Sequence, residues 1–319
     1  MKEFDLDTMV DVGCATILEV QQKIQGMVID NPARALDPVI VGARKKAALR
    51  VDVFAEDYTE AELRKKLRKY RPRVIGEESL LKEDLDLSRE DRLVVLLDML
   101  DGTDLLERGL SNWCSAMVFY YPPECRILAS FVGIPNDAVY FAIEDRSAPV
   151  RKFLWHVRRG QPRVIDVTGP SSVTALQEAS LSFYGQQPAN FMSVAGNRRF
   201  AAKLAEFETV KDDSFKRMRI YNLAGNPMMM KLIDGSKRID AVFDLLGQLP
   251  HDMAPGAYIA RRAGAILCGL DGRPILEEDL ARMLIKPAHG ASKRPYLLAA
   301  TEGLKNEFLA LFGTDACRD

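Results

Sequence analysis

The stretch Leu93–Glu107, Leu-Val-Val-Leu-Leu-Asp-Met-Leu-Asp-Gly-Thr-Asp-Leu-Leu-Glu, constrains this chain most. Its apolar run reads as a buried strand. The run delivers Asp98 at its end, Asp101 follows three positions on, and Gly102-Thr103 comes straight after. Two carboxylates projected from the mouth of a rigid strand into a tight turn suit a hard cation such as Mg²⁺, which is held by carboxylate and carbonyl oxygens. Gly102 lets a ligand approach the backbone, and the N–H groups there can hold an anion such as phosphate.

Composition narrows the setting. With 319 residues the chain can bury a large core in two domains or lobes. Its hydrophobic fraction of 47% fits a globular protein, and a formal net charge of −1 gives no electrostatic case for a nucleic-acid polymer or an anionic membrane. The cysteines Cys14, Cys114, Cys125, Cys268 and Cys317 form no C-x-x-C pair, so free thiols in a reducing compartment are expected. The acidic N-terminal residues do not read as a signal peptide. No apolar run reaches the roughly 20 residues of a membrane span. A cytoplasmic location is expected.

Apolar spacing predicts an amphipathic helix over 8–28, ended by Asp30-Asn31-Pro32, and a basic surface helix over 59–70. Arg44-Lys45-Lys46 reads as a solvated cluster or as a phosphate-facing loop. Val74–Gly76 reads as a short strand running into Glu77 and Glu78, with a charged surface loop over 80–92. The runs Cys114–Tyr121, Ile127–Ile134 and Val139–Ile143 predict an antiparallel meander, continued more weakly over 151–165. Beyond Thr168-Gly169-Pro170-Ser171 the texture alternates between short strands and helices, with helices expected near 197–207, 252–263 and 302–312. The expected division is an α+β N-terminal lobe, 1–167, and an α/β C-terminal lobe, 168–319, which carries Asp252.

Candidate chemistry rests on acids at element ends: Asp52, Glu77, Asp98, Asp101 and Asp252. Asp252 has a plain alternative as an N-cap, and Asp104 reads as the N-cap of Leu105–Glu107. Other chemistries fail on spacing. An EF-hand needs acids two apart and a closing Glu where this chain has Arg108. His156, His251 and His289 lie too far apart for a zinc motif. Neither G-x-S-x-G nor G-x-x-x-x-G-K-[ST] occurs.

Three segments then carry a resemblance in order: Gly76-Glu77-Glu78-Ser79; Asp98-Met99-Leu100-Asp101-Gly102-Thr103; and His251-Asp252-Met253-Ala254-Pro255-Gly256 with Ala263-Gly264. The set resembles the inositol monophosphatase family, whose pattern is G-E-E, D-P-[IVL]-D-G-T and W-D-x-A-x-G. The wider superfamily includes fructose-1,6-bisphosphatases and 3′,5′-bisphosphate nucleotidases. The resemblance implies an α/β layered αβαβα sandwich of the sugar-phosphatase type. Glu77, Asp98, Asp101, Asp252 and the carbonyl of Leu100 would bind roughly two or three Mg²⁺ ions. The amides of Gly102 and Thr103 would hold the substrate phosphate. Thr103 and Asp52 would orient and help deprotonate the attacking water, since Leu49–Val53 is similar to a lysine-leucine-aspartate-valine segment of fructose bisphosphatases. Asp244 would match the family's sugar-hydroxyl acid.

The implied activity is Mg²⁺-dependent hydrolysis of a small soluble phosphorylated metabolite, with a homodimer as the family's usual state. A bisphosphate nucleotidase, a fructose-1,6-bisphosphatase type of activity, and a non-catalytic metal- or phosphate-binding relative are the alternatives. Arg198, Arg199, Lys216, Arg217 and Arg219 are the basic residues a nucleotide would use. The chain departs from the pattern at Met99, where Pro is usual, and at His251, where Trp is usual. Pro255 replaces a small residue early in its helix, where Pro is tolerated in the first turn.

Overall fold

In the computed structural model the described residues are 4–41, 46–77, 85–154, 163–209, 218–235, 239–287 and 293–314. Arg44, Lys45, Glu78, Ser79, His156, Lys216, Arg217, His289 and Cys317 therefore lie outside them. The chain divides into two compact units. The first comprises Met1–Asp166, Pro250–Ile259 and Glu277–Ala291, and the second Val167–Leu249, Ala260–Leu276 and Ser292–Asp319. This differs from a single cut at residue 168, and it puts Asp252 in the first unit. The reason is packing. The start of the helix that carries Asp252 hydrogen-bonds to a strand of the meander through Ser130 Oγ, which donates to Pro255 O at 2.9 Å.

The first unit opens with α1 (Leu6–Asp30), α2 (Pro32–Ala35), the hairpin β1 (Pro38–Val41) and β2 (Lys46–Leu49), and α3 (Arg50–Lys66). Asp5 caps α1 by accepting the Thr8 N–H at 3.0 Å. Helix α3 begins nine residues before the expected 59–70 segment, so Asp52 stands in a helix's first turn. Its buried positions Val51, Ala55, Thr59 and Leu63 recur at every fourth residue, a narrow stripe on an otherwise charged helix.

A seven-stranded sheet follows, in the order β3 (Arg73–Gly76), β4 (Val94–Asp101), β5 (Cys114–Tyr121), β6 (Arg126–Ile134), β7 (Ala138–Ile143), β8 (Arg151–Leu154) and β9 (Arg163–Asp166). Only the β3–β4 pair is parallel, and the rest is the expected meander. The short helix α4 (Thr103–Glu107) leaves the end of β4. One sheet face, with Val95, Leu97, Phe119 and Phe131, shares a core with Ile17, Ile24, Val51 and Ala55 of α1 and α3. Each such large side chain contributes about 1.5–3 kcal/mol of burial. Side chains alternate along a strand, so Asp98 and Ser130 belong to the opposite face.

The second unit holds a five-stranded mixed sheet of β10 (Ser180–Phe183), β11 (Arg219–Tyr221), β12 (Ala241–Gln248), β13 (Ile266–Cys268) and β14 (Arg294–Ala299), ordered β11-β10-β12-β14-β13. Helices α5 (Pro188–Ala195), α6 (Arg198–Thr209), α7 (Asn226–Ile233), α8 (Pro250–Arg262), α9 (Glu277–Met283) and α10 (Glu302–Phe312) complete the chain. Helix α9 and the start of α8 group with the first unit. The second core is aromatic, with Phe243 4.6 Å from Phe308 and stacked on Phe183. The whole is a mixed α/β protein. No helix among the described residues is long and apolar enough to cross a membrane.

Candidate active site

Strand β4 and the turn after it build the site. Against β5, Asp98 pairs with Ala116 and Asp101 with Cys114, so Met99 and Leu100 together oppose Ser115 alone. That bulge has a geometric consequence. In a regular strand, residues three apart face opposite sides, and one extra residue brings Asp101 round to the side of Asp98. Met99 and Leu100 both turn into the core, and Ser115 Oγ donates to Met99 O at 2.8 Å. The Leu100 N–H donates to Asp98 Oδ1 at 3.1 Å.

Gly102 makes the turn. Its φ is 97°, and a Cβ there would stand 3.2 Å from the Cα of Trp113. A side chain is thus excluded both by the left-handed backbone and by a neighbouring backbone atom. Gly102 is the N-cap of α4, with its carbonyl accepting from the amides of Leu105 at 2.9 Å and Leu106 at 3.1 Å. Asp104 therefore lies inside the first turn and is not the cap expected from sequence.

Thr103 Oγ1 lies 3.0 Å from Asp52 Oδ1 and 2.9 Å from Leu100 O. Asp52 is held by its own helix, since its Oδ2 accepts the Leu49 N–H at 3.1 Å. A residue that sequence reading missed stands one turn on. Glu56 lies against β3, so that a Cβ at Gly76 would be 2.1 Å from its Cδ. Gly76 pairs with Leu97, which places Glu77 beside Asp98.

Asp98 has its carboxyl pushed well above the usual range, first by burial and then by the charges of Glu77, Asp101 and Asp252. Glu77, Asp101 and Asp252 thus stand close enough to Asp98 for their charges to act on it, and Asp52 joins them through Thr103. Among the described residues no three His, Cys, Asp or Glu side chains already stand in a closed ligand arrangement. The donor set nevertheless suits a hard divalent cation: it is carboxylate and carbonyl oxygen, mutually repelling until a positive charge enters. The Cys114 thiol lies 3.4 Å from Asp101 Oδ2, and burial keeps it protonated.

Asp252 sits in the first turn of α8, whose start at Pro250 overturns the N-cap alternative. His251 before it is buried and makes an ion pair with Asp252 Oδ1 at 2.9 Å. Burial alone would lower the imidazole pKa, but the Asp252 charge and hydrogen bond raise it to about 9. Pro255 is interior to the helix and not in its first turn. It removes the amide that would bond the His251 carbonyl, one turn earlier.

Asp244 belongs to the second unit. It is buried, and its Oδ1 accepts the amides of Leu246 at 2.9 Å and Gly247 at 2.8 Å, closing a bulge in β12. Arg198 and Arg219 are exposed and Arg199 is half-buried.

No protein-family profile matches the chain. No curated protein matches it in sequence. Solved structures do. Inositol monophosphatase II from Staphylococcus aureus superposes with a TM-score of 0.63 at 16% identity, over 97% of both chains. A Pyrococcus horikoshii hypothetical protein, described as having similarities to inositol-1 monophosphatase, gives 0.61 at 18% identity, over 96% of this chain and 99% of that one. The extragenic suppressor protein SuhB from Bartonella henselae gives 0.61 at 16%, over 94% and 98%. The chain thus has the fold of these inositol monophosphatase-type proteins.

Proposed function

We propose that this chain is a Mg²⁺-dependent phosphatase acting on a small soluble phosphomonoester. The observation that carries the reading is the gathering of Glu77, Asp101 and Asp252 around Asp98, next to a Thr103 hydroxyl hydrogen-bonded to Asp52. Glu77, Asp98, Asp101, Asp252 and the Leu100 carbonyl would hold the ions. Bound Mg²⁺ would lower the pKa of the attacking water, neutralise phosphoryl charge and stabilise the leaving oxygen.

The chain's own residues supply the remainder. Thr103 has one hydroxyl hydrogen and two acceptors within reach. When it donates to Asp52, its oxygen accepts from a water and aims that water. Asp52 then draws the proton away through the threonine. The amides of Gly102 and Thr103 precede the first intrahelical donors of α4 and would face the phosphate. We assign Asp244 to holding its own bulge, because its Oδ1 is already engaged there.

Substrate class stays with inositol or sugar phosphates first. Solved forms of the staphylococcal enzyme bear inositol monophosphate in one case and 2′-AMP in another, which supports a phosphomonoester on either kind of scaffold. We further propose a cytoplasmic homodimer. Phosphate release with Mg²⁺ from inositol monophosphate, sugar phosphates and nucleotides, side by side, tests the reading and ranks the substrates. Asp98→Asn should lower turnover about a hundredfold or more. Turnover that survives this change sinks the proposal, and tight Mg²⁺ binding without turnover on any substrate favours the non-catalytic alternative.

A further inference from the structure

His251 makes two contacts that a tryptophan at this position would not both make. Its Nδ1 lies 3.0 Å from Pro287 O, and its Nε2 lies 2.9 Å from Asp252 Oδ1. A carbonyl oxygen and a carboxylate oxygen both only accept, so each ring nitrogen donates a hydrogen, Nδ1 to Pro287 O and Nε2 to Asp252 Oδ1. An indole has one N–H and serves one such partner. Neighbouring positions on a helix diverge by roughly 100°, so the His251–Asp252 contact is imposed by what holds the ring and not by adjacency.

What holds the ring is itself anchored. Ile285 donates its amide to Arg282 O at 3.2 Å, ending α9 in a turn that presents Pro287. The Leu87 amide donates to Ile285 O at 2.8 Å, and Lys286 Nζ lies 3.3 Å from Asp86 Oδ2. Pro287 therefore sits on a segment pinned to Asp86–Leu87.

We propose that His251 is a positioning residue for Asp252: Pro287 O fixes the imidazole, and Nε2 fixes which way the Asp252 carboxylate faces. The inference rests on the reading of Asp252 as a Mg²⁺ ligand. His251 touches neither substrate nor ion and acts only through Asp252. Outer partners of this kind typically govern metal affinity by about 10–100-fold.

The test uses the full chain and two substitutions that split the ring's two contacts. Gln places its amide nitrogen near the Nε2 position and Asn near the Nδ1 position. Mg²⁺ binding by calorimetry should weaken about 10–100-fold in His251→Asn and stay within about threefold in His251→Gln, with kcat/KM for phosphate release following the same order. Wild-type affinity in both variants overturns the inference. So does the reverse order, weaker binding in His251→Gln than in His251→Asn, which would mean that the ring only anchors Pro287, and so does equal weakening in both. A wild type that neither binds Mg²⁺ nor releases phosphate overturns the phosphatase reading and takes the inference with it. Should either variant fail to fold, the wild type answers by NMR. The chain has 3 histidines, so His156→Gln and His289→Gln assign the His251 ring nitrogens. Saturating Mg²⁺ should shift Nε2 more than Nδ1, and unmoved His251 signals overturn the inference.

Discussion

Thr103 Oγ1 lies 3.0 Å from Asp52 Oδ1, on a carboxylate whose other oxygen accepts the Leu49 amide at 3.1 Å. One acid thus closes the start of α3 and receives the hydroxyl of α4. The two duties separate by mutation. Thr103→Val removes the hydroxyl and leaves the Leu49 contact, so phosphate release should fall about 10²–10⁴-fold, as loss of a proton relay does. Stability should fall by only about 1 kcal/mol. Thr103→Ser keeps the hydroxyl and should retain most activity. Activity in the valine variant equal to that in the serine variant removes Thr103 from the chemistry.

The parts of this protein that sequence reads well are those whose signal is local. Cys114–Tyr121 is apolar but for Ser115 and ends at Pro122-Pro123, and it forms that strand with those bounds. Glu302–Phe312 follows the capping residue Thr301 and is a helix over that range. The start of α3 is hidden because only every fourth residue is buried and the rest are charged. Helix α9 is hidden for another reason: it is short, and its first turn carries three acids. In the site, Asp98 and Asp101 are legible by spacing, and the bulge that makes the spacing work is not. Glu56 and the ring contact of His251 are set by Gly76 and Pro287 across space, and no pattern in the chain announces either.

Asp98 shows what a gathering of acids costs without a cation. Its carboxyl is pushed up by burial, Glu77, Asp101 and Asp252. An acid whose folded pKa is raised contributes stability at low pH that is lost as it ionises on the way to neutrality. In EDTA at pH 7, Asp98→Asn should therefore melt higher than wild type, by about 2–4 °C for each kcal/mol relieved in a domain of this size. Mg²⁺ should reverse the order, because binding to the folded state stabilises only the chain that keeps its ligands. Differential scanning calorimetry with and without Mg²⁺ reads both arms. A variant that melts below wild type in EDTA contradicts the account.

Gly76 and Glu56 compete for one volume. A Cβ on residue 76 would stand 2.1 Å from Glu56 Cδ and 2.4 Å from its Cγ. Gly76→Ala must push the glutamate aside, at a cost of about 1–3 kcal/mol, as overpacking usually brings. Glu56→Ala vacates the space, so the double variant should recover most of that loss. A double-mutant cycle by urea unfolding should give a coupling of at least about 0.5 kcal/mol, and additive losses would mean that the two residues do not meet.

Met99 departs from the family pattern, and the bulge explains why the departure is tolerated in both directions. Neither the β3 register, which ends at Leu97, nor the β5 register assigns Met99 a partner across the strand. A proline there forfeits no ladder hydrogen bond of those registers, which is why proline is admitted at bulges. It also favours an extended residue before it, the state Asp98 already has in β4. What Met99 adds is packing, since its side chain is buried in the first core with Leu97 and Met117. Met99→Pro should fold and bind Mg²⁺ within about threefold of wild type, because no oxygen of the site moves. It should be less stable by up to about 2 kcal/mol, less than a full truncation to alanine costs. Chemical unfolding and Mg²⁺ calorimetry measure the two quantities separately. Loss of Mg²⁺ binding in a folded Met99→Pro protein would show that the methionine shapes the site itself.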